Sequence, residues 1–178
     1  MALRTVREMG DEILRKKSKP VKKMTERIQV MIEDMYETMY ETQGVGLAAP
    51  QIGILRRVVV IDVGEGPVTL INPVVSDPQG SQTDYEGCLS IPGKVATVTR
   101  PMTVVCDALD ENMEAIHIEA EGLFARCICH ECDHLDGILY PDVADGPLMD
   151  QAEAYAELEE ETEEIEAEEA AEESEVEE

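Results

Sequence analysis

The stretch LFARCICHECDHL, residues 123–135, decides the expected fold because an apolar helical segment and two paired histidines coincide in it. Gly137 follows the segment, and glycine commonly ends a helix. On a helix, residues four apart lie on one face, so His130 and His134 can bind the same metal ion. Only three histidines occur in the whole chain. We therefore expect a central metal-binding helix.

The residue after the first histidine of the motif is Glu131. It lies about 100° around the helix from His130, so it is expected to contact a water molecule on the metal and not the metal itself. A metal ion lowers the pKa of such a water toward roughly 7, and Glu131 can accept its proton. The motif therefore predicts a metal-dependent hydrolase that attacks a carbonyl carbon.

The third metal ligand decides between classes of hydrolase. The extended metalloprotease motif requires a third histidine where Tyr140 stands. Glu153 is a further candidate, but it lies in a run of glutamates where any spacing finds a match. Cys88 lies in YEGCLSIP, residues 85–92, where the flanking Gly and Pro predict an irregular strand end that exposes a thiolate. One thiolate and two imidazoles leave the fourth metal position open, as catalytic sites do.

The other cysteines and the third histidine have simpler interpretations. Cys127 is expected to be a small buried packing residue, whereas the roles of Cys129 and Cys132 stay open. His117 is expected to be a partly exposed or hydrogen-bonded strand residue. An odd count of five cysteines favours free thiols or metal ligands over a disulfide framework.

A third segment, GVGLAAPQIG at residues 44–53, is dense in small residues. Small residues let another backbone approach closely. The segment lacks the Gly-Lys-Ser/Thr ending of a phosphate-binding loop. Gln51 within it offers an amide donor that can stabilise a developing oxyanion.

Strand patterns clustered between flanking helices predict an α+β fold with short antiparallel or mixed sheets around the central helix. Thr25 is the predicted N-cap of a helix that reaches about Thr42. A last helix is predicted from Pro147 to about residue 160. The other predicted elements are helices at 11–17 and 123–135, and strands at 57–63, 68–75, 95–99, 102–108 and 114–119.

Charge divides the chain into two parts. Residues 151–178 contain 15 glutamates and no Lys, Arg or Asp, out of a formal net charge of −26. We expect a catalytic domain at 1–150 and an acidic tail at 151–178 that is partly helical or disordered and repels RNA. The charged N-terminus and the lack of a long apolar run predict a cytoplasmic protein without membrane contact.

Taken together, three segments resemble the signature motifs of the bacterial peptide deformylases. They are GVGLAAPQ at 44–51, EGCLS at 86–90 and HECDH at 130–134. The resemblance extends over the body as far as HLDGILYPD at 134–142. It implies hydrolysis of the formyl group from N-formylmethionine of newly synthesised polypeptides, with release of formate. It also implies one divalent metal ion, which we expect to be Fe²⁺ in the cell, with Zn²⁺, Ni²⁺ or Co²⁺ able to substitute.

The resemblance assigns catalytic roles by position. Three residues correspond to metal ligands: Cys88, His130 and His134. Glu131 corresponds to the general base. The side chain of Gln51 and the backbone N–H of Leu89 correspond to donors that hold the formyl oxygen as charge develops on it.

The resemblance also assigns a substrate-binding set. The residues whose backbone pairs with the extended substrate are Val45, Gly46 and Gly87. Glu86 and Arg100 correspond to an ion pair beneath the methionine pocket. Cys129 departs from the family pattern, which usually has a Gln there, so the hydrogen-bonded support of the helix is in question.

Three functions remain in contention at this point: a peptide deformylase, a metallopeptidase that uses the same helical motif, and a non-catalytic metal-binding protein. Glu131 and Gln51 favour an enzyme, since metal storage requires neither. For a deformylase we expect N-formylmethionyl nascent peptides as partners and a monomer. Transient proximity to the ribosome fits this function, but RNA docking through the acidic tail does not.

Overall fold

The computed structural model describes residues 2–160, 162 and 165, and they form the predicted α+β fold. The strands are β1 (Gly46–Ala48), β2 (Val58–Ile61), β3 (Val68–Gln79), β4 (Gln82–Cys88), β5 (Ile91–Arg100), β6 (Thr103–Leu109), β7 (Ala115–Glu121) and β8 (Met149–Asp150). The longer helices are α1 (Glu26–Glu41), α2 (Gly122–Leu135) and residues 151–160. Single 3₁₀ turns occur at Glu12–Arg15, Ala49–Ile52 and Tyr140–Asp142.

The strands form two antiparallel sheets. One has five strands in the order β1-β2-β3-β6-β7, and the other has three in the order β4-β5-β8. Helices α1 and α2 pack on opposite faces of the five-stranded sheet. Successive side chains of a strand point to opposite faces, so Val58 and Val60 of β2 join the core of α1, while Val59 and Ile61 join the core of α2. This double burial explains the unbroken apolar sequence of β2.

A separate core holds the three-stranded sheet. Its buried residues are Leu14, Ile91, Ala96, Val98, Leu139 and Tyr140. Cys88 packs against this core from the end of β4. Helix α2 contacts both sheets, since it packs on the five-stranded sheet and its His130 lies 2.9 Å from Glu86 of β4.

Helix α1 follows the prediction closely. The Thr25 side chain accepts a hydrogen bond from the Ile28 N–H at 3.3 Å, as an N-cap does. The prediction of a helix at 11–17 is too long, because only the 3₁₀ turn Glu12–Arg15 forms. The chain after this turn does not continue as a helix, because the Ser18 N–H donates to the Leu135 carbonyl at the end of α2 at 2.8 Å.

Strand β3 continues beyond its predicted end at residue 75. Asn72 and Asp77 each precede a proline and adopt positive φ angles of 52° and 49°. The register with β6 shifts at both places, which is the pattern of β-bulges. Asparagine and aspartate tolerate this left-handed backbone better than most residues. The strand therefore bends at these dipeptides and keeps its pairing.

The sequence does not predict strands β1 and β8, and of β4 it predicts only the irregular end at Cys88. Strand β4 has the sequence QTDYEGC and lies at a sheet edge, so its polar residues give no strand pattern.

The predicted helix start at Pro147 is wrong, because Met149 of β8 pairs with Val95 and the helix begins at residue 151. Most of the predicted acidic tail beyond residue 160 lies outside the described residues. In the described part of the chain, no helix has the length and apolar character needed to span a membrane.

Replacement of Leu70 by alanine tests the core on the α2 face of the sheet. Leu70 is fully buried, so Leu70→Ala is expected to lower the free energy of unfolding by about 2–5 kcal/mol. Chemical denaturation measures this change. Val74→Ala on the same strand is the control, because Val74 is 62% exposed and its loss is expected to cost about 0.5 kcal/mol or less. Equal losses in the two variants would contradict the packing described above.

Candidate active site

Helix α2 carries the HECDH motif, and its His130 and Glu131 line a cleft between the two sheets. His130 and Glu131 are 9% and 4% exposed, and His134 is 1% exposed. The ring centroids of the two histidines are 5.0 Å apart. One helical turn thus brings both imidazoles to the same point, as the sequence predicts.

Cys88 meets these histidines from the end of β4. Its Sγ lies 3.2 Å from His134 Nε2, and ligand atoms of Cys88, His130 and His134 all lie within 4.8 Å of one another. Among the described residues, no other group of three His, Cys, Asp or Glu side chains converges in this way. The strand register shifts between Gly87 and Cys88, which confirms the predicted irregular strand end. A thiolate and two imidazoles suit a divalent first-row metal ion, so these donors fit such a cofactor.

A buried carboxylate braces this group from behind. Glu86 Oε2 lies 2.9 Å from His130 Nδ1, which leaves the Nε2 atom of that ring to face Cys88 and His134. Arg100 donates two hydrogen bonds to the same carboxylate at 2.8 and 3.0 Å. Burial raises the pKa of Glu86, but hydrogen bonds from His130 and Arg100 outweigh it and hold the pKa at about 2. The carboxylate is therefore anionic and fixes the orientation of His130.

Glu131 lies beside the metal-ligand group with one oxygen free. Its Oε2 atom is buried and has no hydrogen-bond partner among the described residues. Burial, with the nearby Glu86 and Asp133 carboxylates, raises the pKa of Glu131 to about 7, against the lowering effect of His130. A Cβ atom on Gly46 would lie 2.5 Å from Glu131 Oε1, so only glycine lets β1 approach this carboxylate.

Gln51 is held in the cleft by three contacts. Its Oε1 accepts a hydrogen bond from the Ala48 N–H at 2.8 Å. Its Nε2 lies 3.4 Å from Cys88 Sγ and 3.1 Å from Ser90 Oγ. The fixed oxygen sets the orientation of the amide, so the donor end points at the metal-ligand group.

All the predicted site residues except Arg100 and the deeply buried His134 line one cavity of about 570 Å³. Those in its wall are Val45, Gly46, Gln51, Glu86, Gly87, Cys88, Leu89, His130 and Glu131. Arg100 is not in the wall and lies beneath it as the ion-pair partner of Glu86. This placement agrees with the predicted ion pair but gives Arg100 no direct contact with the cavity.

Two neighbours of the site were not identified from the sequence. Arg126 is buried and donates to Glu86 Oε1 at 2.8 Å and to the Val98 carbonyl at 3.0 Å. Arg126 lies four residues before His130 and therefore on the same face of the helix, and this spacing is the sequence signal that could have identified it. Tyr140 stacks on His130 with ring centroids 6.1 Å apart, and its hydroxyl donates to the Lys94 carbonyl.

The remaining cysteines and His117 lie outside the metal-ligand group. Cys127 is 5% exposed in the core, which confirms its predicted packing role. Cys129 and Cys132 are half-buried against the same core, and burial raises the pKa of both thiols. His117 is exposed, and its Nδ1 lies 2.6 Å from Asp107 Oδ1, as expected for a hydrogen-bonded surface residue. Arg100, Arg126 and Glu86, and not Cys129, therefore provide the polar bracing near α2.

Replacement of Glu86 by glutamine tests this bracing. Glu86→Gln leaves Arg126 without a buried anion and leaves Arg100 only the half-buried Asp133, 2.7 Å from its Nη1, so we expect the free energy of unfolding to fall by about 3–5 kcal/mol. Metal affinity is expected to fall by about 10- to 100-fold, because His130 loses its carboxylate partner. Denaturation and metal titration measure the two effects. The exposed Glu119→Gln is the control, and unchanged metal affinity in Glu86→Gln would contradict the bracing role.

Comparisons with known proteins agree with this site. The family model for polypeptide deformylase matches residues 3–148. The chain is 59% identical over 142 residues to peptide deformylase 1 of Clostridium acetobutylicum, covering 80% of this chain and 95% of that protein. It is 51% identical over 164 residues to a peptide deformylase of Lachnoclostridium phytofermentans, covering 90% of this chain and 100% of that protein.

A solved structure shares the fold as well. The peptide deformylase of Thermotoga maritima superposes with a TM-score of 0.80 at 41% identity, covering 82% of this chain and 100% of that one. The residues matched by the family model include all three sequence motifs. This chain therefore belongs to the polypeptide deformylase family.

Proposed function

We propose that this chain hydrolyses the formyl group from N-formylmethionine at the start of new polypeptides and releases formate. Membership of the family supports the reaction. The observation that carries the proposal is the convergence of Cys88, His130 and His134 within 4.8 Å, beside the free carboxylate oxygen of Glu131. These groups supply a metal site and a base in one cleft.

We assign the three converging residues as ligands of one divalent ion, Fe²⁺ in the cell, for which Zn²⁺, Ni²⁺ or Co²⁺ can substitute. When bound there, the ion supplies Lewis acidity, which makes water a stronger acid and stabilises negative charge on a carbonyl oxygen. The Glu86 contact directs His130 Nε2 toward the ligand group. Cys88 is fixed from the other side by the Gln51 amide and the Ser90 N–H, each 3.4 Å from its Sγ.

Glu131 is the proposed general base. Its raised pKa, near 7, lets it accept a proton from the attacking water at neutral pH and give a proton to the departing amine. No described protein group hydrogen-bonds the buried Oε2 atom, and Glu131 lines the cleft, which supports a role for its carboxylate toward a water molecule there. The absence of a side chain on Gly46 leaves room for this carboxylate beside β1.

Gln51 and Leu89 are the proposed donors to the formyl oxygen. The Gln51 amide is preorganised, since Ala48 holds its oxygen and its nitrogen faces the cleft. Leu89 lines the same cleft directly after Cys88. Fixed donors aimed at a developing negative charge stabilise the transition state more than the substrate.

The backbone near Val45, Gly46 and Gly87 is proposed to pair with the extended peptide. Strands β1 and β4, which carry the two glycines, are edge strands of their sheets and face the same cleft. An edge strand has free N–H and C=O groups that a peptide can pair with. Glu86 and Arg100 support the floor of this cleft from below.

We further propose the division into a catalytic domain at 1–150 and an acidic segment at 151–178. A cytoplasmic location follows from the proposed substrate, since nascent chains carry the formyl group where they are made. We propose that the protein acts as a monomer near the ribosome, without docking to RNA through the acidic segment.

Release of formate tests the proposed function. Protein reconstituted with Fe²⁺ or Ni²⁺ is expected to release formate from formyl-Met-Ala-Ser and to leave the internal peptide bonds intact. Removal of the metal with a chelator is expected to abolish the activity, and return of the ion to restore it. Internal cleavage without formate would favour the metallopeptidase alternative. Absence of both reactions with metal bound would favour the non-catalytic alternative.

The Glu131→Gln variant tests the assignment of the base. The variant is expected to retain the metal, because Glu131 is not among the proposed ligands, while kcat falls by ~10²-fold or more. Metal analysis and formate release measure the two effects. Glu119→Gln serves again as the exposed control. Near-normal kcat in Glu131→Gln would show that another group accepts the proton.

A further inference from the structure

A buried serine connects the two donors proposed for the formyl oxygen. Leu89 and Ser90 form the short turn between β4 and β5, directly after Cys88. Ser90 is fully buried and does not line the cleft. Its Oγ accepts a hydrogen bond from Gln51 Nε2 at 3.1 Å. This bond joins the turn that carries Leu89 to the turn that carries Gln51.

The hydrogen bonds of the Gln51 amide involve its oxygen and both of its N–H groups. A glutamine amide has one oxygen acceptor and two N–H donors. The oxygen accepts from the Ala48 N–H, and the nitrogen lies within reach of both Ser90 Oγ and Cys88 Sγ. Since Ser90 takes one N–H group, the other points toward the metal-ligand group. The Ser90 hydroxyl therefore sets the direction of the donor that faces the cleft.

Main-chain hydrogen bonds hold the backbones of Gln51 and Ser90 side by side. The Arg7 N–H donates to the Gln51 carbonyl at 2.7 Å, and the Met9 N–H donates to the Ser90 carbonyl at 2.8 Å. The Ser90 N–H also donates to Cys88 Sγ at 3.4 Å. These bonds do not involve the Ser90 hydroxyl, so its removal leaves the surrounding backbone contacts in place.

We infer that Ser90 is a positioning residue for the hydrolysis of the formyl group. Its hydroxyl fixes the Gln51 amide relative to the Leu89 N–H, so that both donors are aimed at one oxygen. Donors that are fixed before the reaction stabilise developing charge better than donors that must reorient. This inference rests on the proposed deformylase function and on the roles proposed there for Gln51 and Leu89.

The Ser90→Ala variant tests the inference through kcat. Loss of an oxyanion donor costs about 10²- to 10³-fold in kcat. In Ser90→Ala the donor is still present but is no longer held, so we expect a smaller fall of about 10-fold. KM for formyl-Met-Ala-Ser and the bound Ni²⁺ are expected to change by less than about 2-fold, because the contact acts on the transition state. Formate release and metal analysis of the Ni²⁺-loaded protein measure these quantities.

A double-mutant cycle with Gln51 separates positioning from a general structural effect. If Ser90 acts through Gln51, adding Ser90→Ala to Gln51→Ala is expected to lower kcat by less than about 2-fold. A fall of about 10-fold in both backgrounds would overturn the inference, because the serine would then act without the amide.

Two further serine variants complete the test. Ser90→Thr keeps the acceptor oxygen and is expected to retain about half of the parental kcat or more. Ser18→Ala is the matched control, because Ser18 is also buried but its Oγ has no hydrogen-bond partner among the described residues. Parental kcat in Ser90→Ala, or equal losses in Ser90→Ala and Ser90→Thr, would overturn the inference. Failure of the Ni²⁺-loaded parent protein to release formate would instead overturn the proposed function.

Discussion

The buried carboxylate of Glu86 is the interaction on which the arrangement of the site depends. It links three elements, since Glu86 lies on β4, Arg100 on β5, and Arg126 and His130 on α2. A buried charge without partners costs several kcal/mol, so this carboxylate is stable only while all three elements stay together. Cys88 follows two residues later on the same strand. The network that neutralises Glu86 therefore also brings the thiolate to the histidines.

The five-stranded sheet supplies the opposite wall. Its strand β1 approaches α2 closely because Gly46 has no side chain to clash with Glu131. Gln51 lies in the 3₁₀ turn that follows β1, and the N–H of Ala48 at the end of β1 donates to its side-chain oxygen. Metal ligands, base and amide donor thus come from separate elements that are fixed by packing and hydrogen bonds. Such preorganisation is what hydrolysis of an unreactive amide requires.

Local sequence patterns predicted much of this architecture. The four-residue spacing of His130 and His134 fixed their common direction, and the flanking Gly and Pro indicated the irregular strand end at Cys88. Tertiary pairing explains what was missed. Strand β8 exists only because Met149 meets Val95, and Arg126 reads as an ordinary helical cation until Glu86 is placed against it. The start of the acidic segment likewise gives no sign in the sequence that Tyr155 lines the cleft beside the metal-ligand group.

X-ray absorption spectroscopy of the Zn²⁺-loaded protein measures whether one thiolate and two imidazoles hold the metal. We expect one sulfur ligand at about 2.3 Å and two nitrogen ligands at about 2.0–2.1 Å, with the sulfur signal lost in Cys88→Ser. A spectrum without sulfur, or one in which Cys88→Ser retains the sulfur ligand, would contradict this ligand assignment.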